Sequence, residues 1–142
     1  MTSEAHAPAN DADLAQLMEE ARRAAEHSYS PYSNFKVGAA ILLSNGAIVT
    51  GTNVENVSYG LTCCAERSAL VRAVSEFGPS IRIKAMAVAN LNDAASPPCG
   101  ACRQMLSEFA DADAPVIFPS ANGVRASSFS ELLPTAFETN RK

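Results

Sequence analysis

Cys63 and Cys64 stand side by side in the stretch GLTCCAERSAL, with Glu66 and Arg67 just after them, and Cys99 and Cys102 form a Cys-x-x-Cys in PPCGAC. The opening MTSEAHAPAND has no basic segment leading an apolar one, so it does not read as a secretion signal, and a cytoplasmic location is expected. In that setting clustered thiols are more often metal ligands or catalytic groups than disulfides. Cys64 and Cys99 each begin an expected helix, where the helix dipole favours thiolate, the form that binds zinc. Adjacent residues on a helix point about 100° apart because a turn takes about 3.6 residues, so Cys63 and Cys64 are not expected to hold one ion together. Three thiolates leave one position open. That is the count of a catalytic zinc, whereas a closed structural site wants four ligands.

The carboxylate chooses between the two adjacent cysteines. Zinc deaminases of nucleobases carry a ligand-x-Glu followed later by Pro-Cys-x-x-Cys. Cys64-Ala65-Glu66 and Pro98-Cys99-Gly100-Ala101-Cys102 match that register, and counting from Cys63 misses it by one. Cys64, Cys99 and Cys102 are therefore the expected ligands of one Zn2+ per subunit, with Glu66 as catalytic proton carrier. Zinc with three thiolates has a formal charge of −1, which weakens its pull on water. Arg67 is expected to offset that charge by hydrogen-bonding the sulfurs, with Arg103 as a second candidate. Cys63 reads as a small packing residue. Of the two histidines, His6 lies in the N-terminal tail and His27 ends a helix, so neither is an expected fourth ligand.

These residues need elements to hold them. Leu14, Leu17, Met18, Ala21 and Ala25 recur at helical spacing between Asp11 and His27, with Asp11 or Asp13 as cap. KVGAAILLS and AIVTGTN read as strands joined by a tight turn at Asn45-Gly46. A second helix runs from Cys64 to Phe77, with Ala65, Ala69, Leu70, Ala73, Val74 and Phe77 on its apolar stripe, and Gly78-Pro79 ends it. IRIKAMAVAN barely alternates in its second half, which predicts a strand buried on both faces. CGACRQMLSEFA reads as a third helix with Met105, Leu106 and Phe109 inward. PVIFP and VRASSF read as strands flanking a turn at Asn122-Gly123, and SELLP as a last helical turn capped by Ser130. This order predicts an α/β fold, a mixed sheet with helices on both faces. Residues 1–10 are expected to be a disordered tail and residues 11–142 a single domain.

Composition narrows the partners. The 142 residues are 47% hydrophobic and 18% charged, an ordinary globular balance, and no stretch approaches a membrane span. A net charge of −4 with no basic run argues against nucleic acid, and 6% aromatic residues argue against a base-stacking surface. A small molecule is the expected partner.

SYSPYSNFKVGAA, GTNVENVSYGLTCCAER, PPCGACRQ and ELLPTAF, in this order, resemble the small homotetrameric cytidine deaminases over about residues 11–138. The resemblance implies a three-layer α/β/α sandwich with a five-stranded mixed sheet. It implies hydrolytic deamination of cytidine and 2′-deoxycytidine to uridine and 2′-deoxyuridine, with release of ammonia. It also implies a homotetramer whose active sites are completed by neighbouring subunits, with no nucleic-acid or membrane partner. By this resemblance Asn53 and Glu55 bind the ribose, chiefly its 3′-hydroxyl, and Phe35 walls the base pocket. The backbone around Ala65 reads the pyrimidine edge, Phe137 reaches a neighbour's site, and Tyr59 lies near a subunit contact. Position 63 is commonly apolar in that family and is cysteine here.

Three other readings suit the sequence less well. A blasticidin S deaminase shares the zinc motif but lacks the NVEN pattern that supplies Asn53 and Glu55. A non-catalytic zinc module would use all four cysteines, against which the adjacent pair speaks. An editing deaminase of RNA or DNA sits poorly with the acidic balance.

Overall fold

The computed structural model describes residues 8–138, so the first seven residues of the expected tail, His6 among them, lie outside the described residues. Among the described residues, four α-helices and five strands follow in the order α1 (Asp11–Ala25), β1 (Val37–Leu43), β2 (Ile48–Thr52), α2 (Ala65–Phe77), β3 (Ile83–Asn90), α3 (Gly100–Ser107), β4 (Pro115–Ser120), β5 (Gly123–Ser128) and α4 (Phe129–Leu132), with a short 3-10 helix (Tyr59–Leu61) between β2 and α2. The strands form one mixed sheet in the order β2-β1-β3-β4-β5. Only β3 and β4 run parallel, and α3 is the crossover between them. The turns at Asn45-Gly46 and Asn122-Gly123 both close hairpins, with Gly46 at φ 92° and Gly123 at φ 99°, where a side chain would be strained.

The sheet is buried on both faces because its central strands are apolar at successive positions. Ala39, Ile41 and Leu43 of β1 join Met86 and Val88 of β3 against α2 and α3. Ala40 and Leu42 join Ala85, Ala87 and Ala89 against Leu17 and Ala21 of α1. Side chains of a strand alternate between faces, so one unbroken apolar run serves both layers. The resulting α/β/α sandwich is the expected one.

Two glycines let the helices approach to backbone contact. A Cβ at Gly38 would fall 2.0 Å from the carbonyl oxygen of Ala21 in α1, and one at Gly51 would fall 2.3 Å from the backbone nitrogen of Ala69 in α2. Gly51 thereby sets how closely α2 lies on β2, and α2 carries Cys64 and Glu66 at its start.

Several local expectations are corrected. The cap of α1 is Asn10 rather than Asp11 or Asp13: it accepts from the Asp13 N–H while the Asp13 carboxylate takes the Asn10 N–H, a reciprocal box. The cap of α4 is Ser128 rather than Ser130, because it is Ser128 whose hydroxyl reaches the Glu131 N–H. Phe77, the last residue of α2, and Met105, to one side of the stripe that Cys102 and Leu106 bury in α3, are exposed. No helix among the described residues is long and apolar enough to cross a membrane.

Candidate metal and catalytic site

The antiparallel register decides which loops meet. Gly38 pairs with Thr52 and Val37 with Asn90, so the start of β1 lies beside the ends of β2 and β3. The segment before β1 (residues 28–36), the segment after β2 (53–64) and the loop after β3 (91–99) therefore gather at one edge of the sheet. The last two deliver the N-termini of α2 and α3.

Cys64 is the N-cap of α2 and Cys99 the N-cap of α3, both with extended backbone, and Cys102 is in the first turn of α3. The sulfurs of Cys64 and Cys99 lie 3.6 Å apart, those of Cys99 and Cys102 lie 3.2 Å apart, and all three fall within 4.8 Å of one another. Two zinc–sulfur bonds of about 2.3 Å at a tetrahedral angle span about 3.8 Å, so the cluster is the size that the ion demands. All four cysteines are free thiols.

Cys63 is outside this cluster. The expected reason was helical divergence of neighbours, but neither residue is helical. Cys63 forms an isolated bridge to Val54, with its N–H 2.8 Å from the Val54 oxygen and the return bond at 2.9 Å. Successive side chains of extended backbone point to opposite sides, which parts the two thiols more fully than a helix would. The same bridge fastens the Asn53–Glu55 segment to the residue preceding the Cys64 cap.

The electrostatics suit a cation. The Cys64 thiol is pushed down to about 5, first by the hydrogen bond with Cys102, with help from Cys99 and Arg67 and against the effect of burial. Cys102 is pushed up, because its proton is held against Cys64 and because burial disfavours a second charge. The cluster therefore favours a thiolate at Cys64, and a divalent ion would displace the remaining protons on binding. Arg67 loses hydration by burial, yet the thiols of Cys64, Cys102 and Cys63 hold its proton more firmly. Its Nε is buried without a hydrogen-bond partner, the kind of donor that a sulfur carrying full thiolate charge would engage. Arg103 does not share this task as it stands: its Nε and Nη1 donate to the carbonyls of Pro98 (2.7 Å) and Leu132 (2.9 Å), tying the start of α3 to α4.

Glu66 is in the first turn of α2 and is only 5% exposed. Burial raises its carboxyl above the usual 4.5, and the Cys64 thiolate adds to that, while hydrogen bonds from its own backbone N–H and that of Cys99 pull the other way. A carboxyl lifted by burial beside a thiolate cluster is suited to taking and returning a proton. Ala65, one residue before it, is buried at the first helical position.

Asn53 and Glu55 lie beyond the end of β2 rather than on it, yet both turn to the segment before β1. Asn53 is buried; its Oδ1 accepts from Val37 N–H (3.0 Å) and Ser28 Oγ, and its Nδ2 donates to the Phe35 carbonyl (2.8 Å). Glu55 accepts from the backbone N–H groups of Tyr32 (3.0 Å) and Ser33 (3.2 Å) and from the Ser33 hydroxyl. The Ser33 hydroxyl, with the two backbone donors, holds the Glu55 carboxyl below the usual carboxylate range. Phe35 is half-buried on the segment these two side chains secure. Tyr59 is 75% exposed, edge-on to Tyr32 with ring centres 6.2 Å apart. Phe137 is 76% exposed, and its backbone N and O are matched by the side-chain amide of Gln104 at 3.3 and 3.0 Å. It lines a cavity of about 460 Å³ with Glu108, Phe129 and Leu133, and none of the three clustered cysteines borders that cavity.

Sequence reading passes over Ser28, Ser33, Asn90 and Gln104. Serine in a proline-containing stretch reads as a turn former. The buried Asn90 shapes the loop leading to Cys99, accepting from the N–H groups of Asn92 (2.9 Å) and Ala94 (3.3 Å) and donating to Ser96 Oγ (2.9 Å). Only its position at the end of an apolar strand hints at this.

A mixed sheet that brings three thiols and a buried glutamate together at two helix N-termini defines a zinc-binding deaminase. Residues 11–118 match the family described as the cytidine and deoxycytidylate deaminase zinc-binding region, and the chain belongs to that family. It is 46% identical over 126 residues to cytidine deaminase of Halalkalibacterium halodurans, covering 88% of this chain and 94% of that one. The crystal structure of cytidine deaminase from Mycobacterium tuberculosis superposes with a TM-score of 0.78 at 40% identity, covering 91% of this chain and all (100%) of that one. The cytidine deaminase structure from Burkholderia pseudomallei gives 0.77 at 43% identity, covering 87% and 98%.

Proposed function

We infer that the protein hydrolyses cytidine and 2′-deoxycytidine to uridine and 2′-deoxyuridine, releasing ammonia. The observation that carries this reading is the buried Glu66 carboxyl two residues beyond Cys64, beside the sulfurs of Cys64, Cys99 and Cys102. Those three thiols would hold the zinc. When bound, zinc supplies Lewis acidity that makes water a competent nucleophile at neutral pH. Glu66 accepts a proton from the attacking water as oxygen adds to C4 of the pyrimidine. It delivers that proton to N3, then takes the proton of the new C4 hydroxyl and passes it to the departing amine as the carbonyl forms, so one carboxyl serves as base and acid in turn. Arg67 balances the negative charge of the thiolates. The backbone at Ala65 meets the pyrimidine edge and Phe35 walls the base. Asn53 and Glu55 read the ribose hydroxyls, and their bonds to residues 28–37 couple the sugar site to the wall of the base site.

The working form is a homotetramer in which Phe137 reaches a neighbour's active site. Val57, Tyr59, Leu61 and Phe137 support this, because each is more than 70% exposed and large apolar groups this open mark contact surfaces. Sedimentation at assay concentration is expected to give a tetramer, and a fully active monomer would overturn the assembly. The four free thiols suit a reducing compartment, which supports a cytoplasmic location. The direct test of function is the fall in ultraviolet absorbance as cytidine is converted. Turnover is expected with the zinc-loaded protein and not after treatment with a strong chelator, and no turnover of cytidine by zinc-loaded protein would refute the assignment.

A further inference from the structure

The Glu55 carboxylate is held more completely than a residue waiting for substrate needs to be. A carboxylate has about four acceptor positions. Tyr32 N–H and Ser33 N–H share Oε1, and the Ser33 hydroxyl occupies one side of Oε2. The direction of the Ser33 hydroxyl is itself determined. Its oxygen accepts the Phe35 N–H at 3.0 Å, so its proton is left for Glu55. One acceptor position, on Oε2, is left over. The same hydroxyl therefore touches the segment that carries Phe35 and the carboxylate assigned to the sugar.

We propose that Ser33 is a positioning residue for sugar recognition: its hydroxyl locks the Glu55 carboxylate in one orientation, so that its remaining acceptor meets the substrate 3′-hydroxyl. The proposal rests on the reading above that Glu55 binds the ribose. Without the hydroxyl the carboxylate keeps only its backbone donors on Oε1 and gains freedom at Oε2. Binding of the sugar is then weakened, while the zinc, Glu66 and the chemical step are untouched. Threonine keeps the hydroxyl and alanine does not.

The test compares kcat and KM on cytidine and on 3′-deoxycytidine, which lacks the hydroxyl in question, with zinc content and thermal melting measured for each variant. Ser33→Ala is expected to raise KM for cytidine about tenfold with kcat little changed, the scale of one hydrogen bond to a charged group. It is expected to leave KM for 3′-deoxycytidine nearly unaltered, so that the preference between the two substrates shrinks by the same factor. Ser33→Thr is expected to restore the preference. Should Ser33→Ala not fold, Ser33→Cys, a weak donor of similar volume, is expected to give the same shift. Equal losses on both substrates would mean that Ser33 merely supports the segment, and no loss on either would mean that it does nothing for the sugar; each overturns the proposal. Glu55→Ala separates the two claims. If it abolishes the preference while Ser33→Ala does not, positioning by Ser33 is wrong and the Glu55 reading stands. If it leaves the preference intact, the Glu55 reading fails and the proposal falls with it.

Discussion

Glu66→Gln is expected to bind zinc, fold as the parent does and lose roughly 10⁴-fold in kcat, the upper end of what one general acid–base group contributes. The upper end applies because the same carboxyl acts twice, first on water and then on the departing amine. The amide has the same shape but neither takes up nor releases a proton near neutral pH. Stability should hold, since Glu66 is 5% exposed and burial already disfavours its charged form, so a neutral isostere suits the cavity. Zinc analysis, a melting curve and the cytidine assay on one preparation decide the matter. Substantial turnover in a folded, zinc-loaded Glu66→Gln protein would remove Glu66 from the mechanism.

Cys102→Ser is expected to reduce zinc affinity by more than the roughly 100-fold that loss of a residue supporting a ligand costs. Cys102 is completely buried, and its sulfur lies 3.2 Å from that of Cys99, so no other described side chain of the cluster replaces it. Activity should follow the zinc content. Cys63→Ala is the matched control. Its thiol is half-buried and outside the cluster, so zinc stoichiometry and turnover should stay at the parent's level, with stability changed by less than about 1 kcal/mol. If Cys63→Ala loses the metal instead, the site is a closed four-cysteine one and the catalytic reading is wrong.

Much of this site was legible in the chain because its motifs are local. Cys64, Ala65 and Glu66 are consecutive, and Cys99 and Cys102 are one helical turn apart, so helix geometry alone relates each set. The reason for setting Cys63 aside was not legible. It depends on Val54, nine positions earlier, which draws Cys63 into an extended bridge. Arg103 illustrates the same limit. Its charge and its place beside Cys102 suited it to the sulfurs, but the backbone carbonyls of Pro98 and Leu132 take its donors, and Leu132 comes near only through the packing of α4 on α3.

Residue types and their spacing by themselves determined the family of chemistry: three thiolates, a glutamate in register and an arginine to balance them. Apolar periodicity determined which segments are helices and strands, since each pattern is set by neighbours within a few residues. The tertiary structure alone decided which loops share an edge, because that depends on strand register between distant segments, Gly38 with Thr52 and Val37 with Asn90. It also decided what Asn53 and Glu55 do in the free protein. Their side chains close hydrogen bonds across 16 to 25 positions of sequence, from Asn53 to Ser28, Phe35 and Val37 and from Glu55 to Tyr32 and Ser33. Contacts of that separation leave no periodic trace in the chain, and only folding brings their partners within reach.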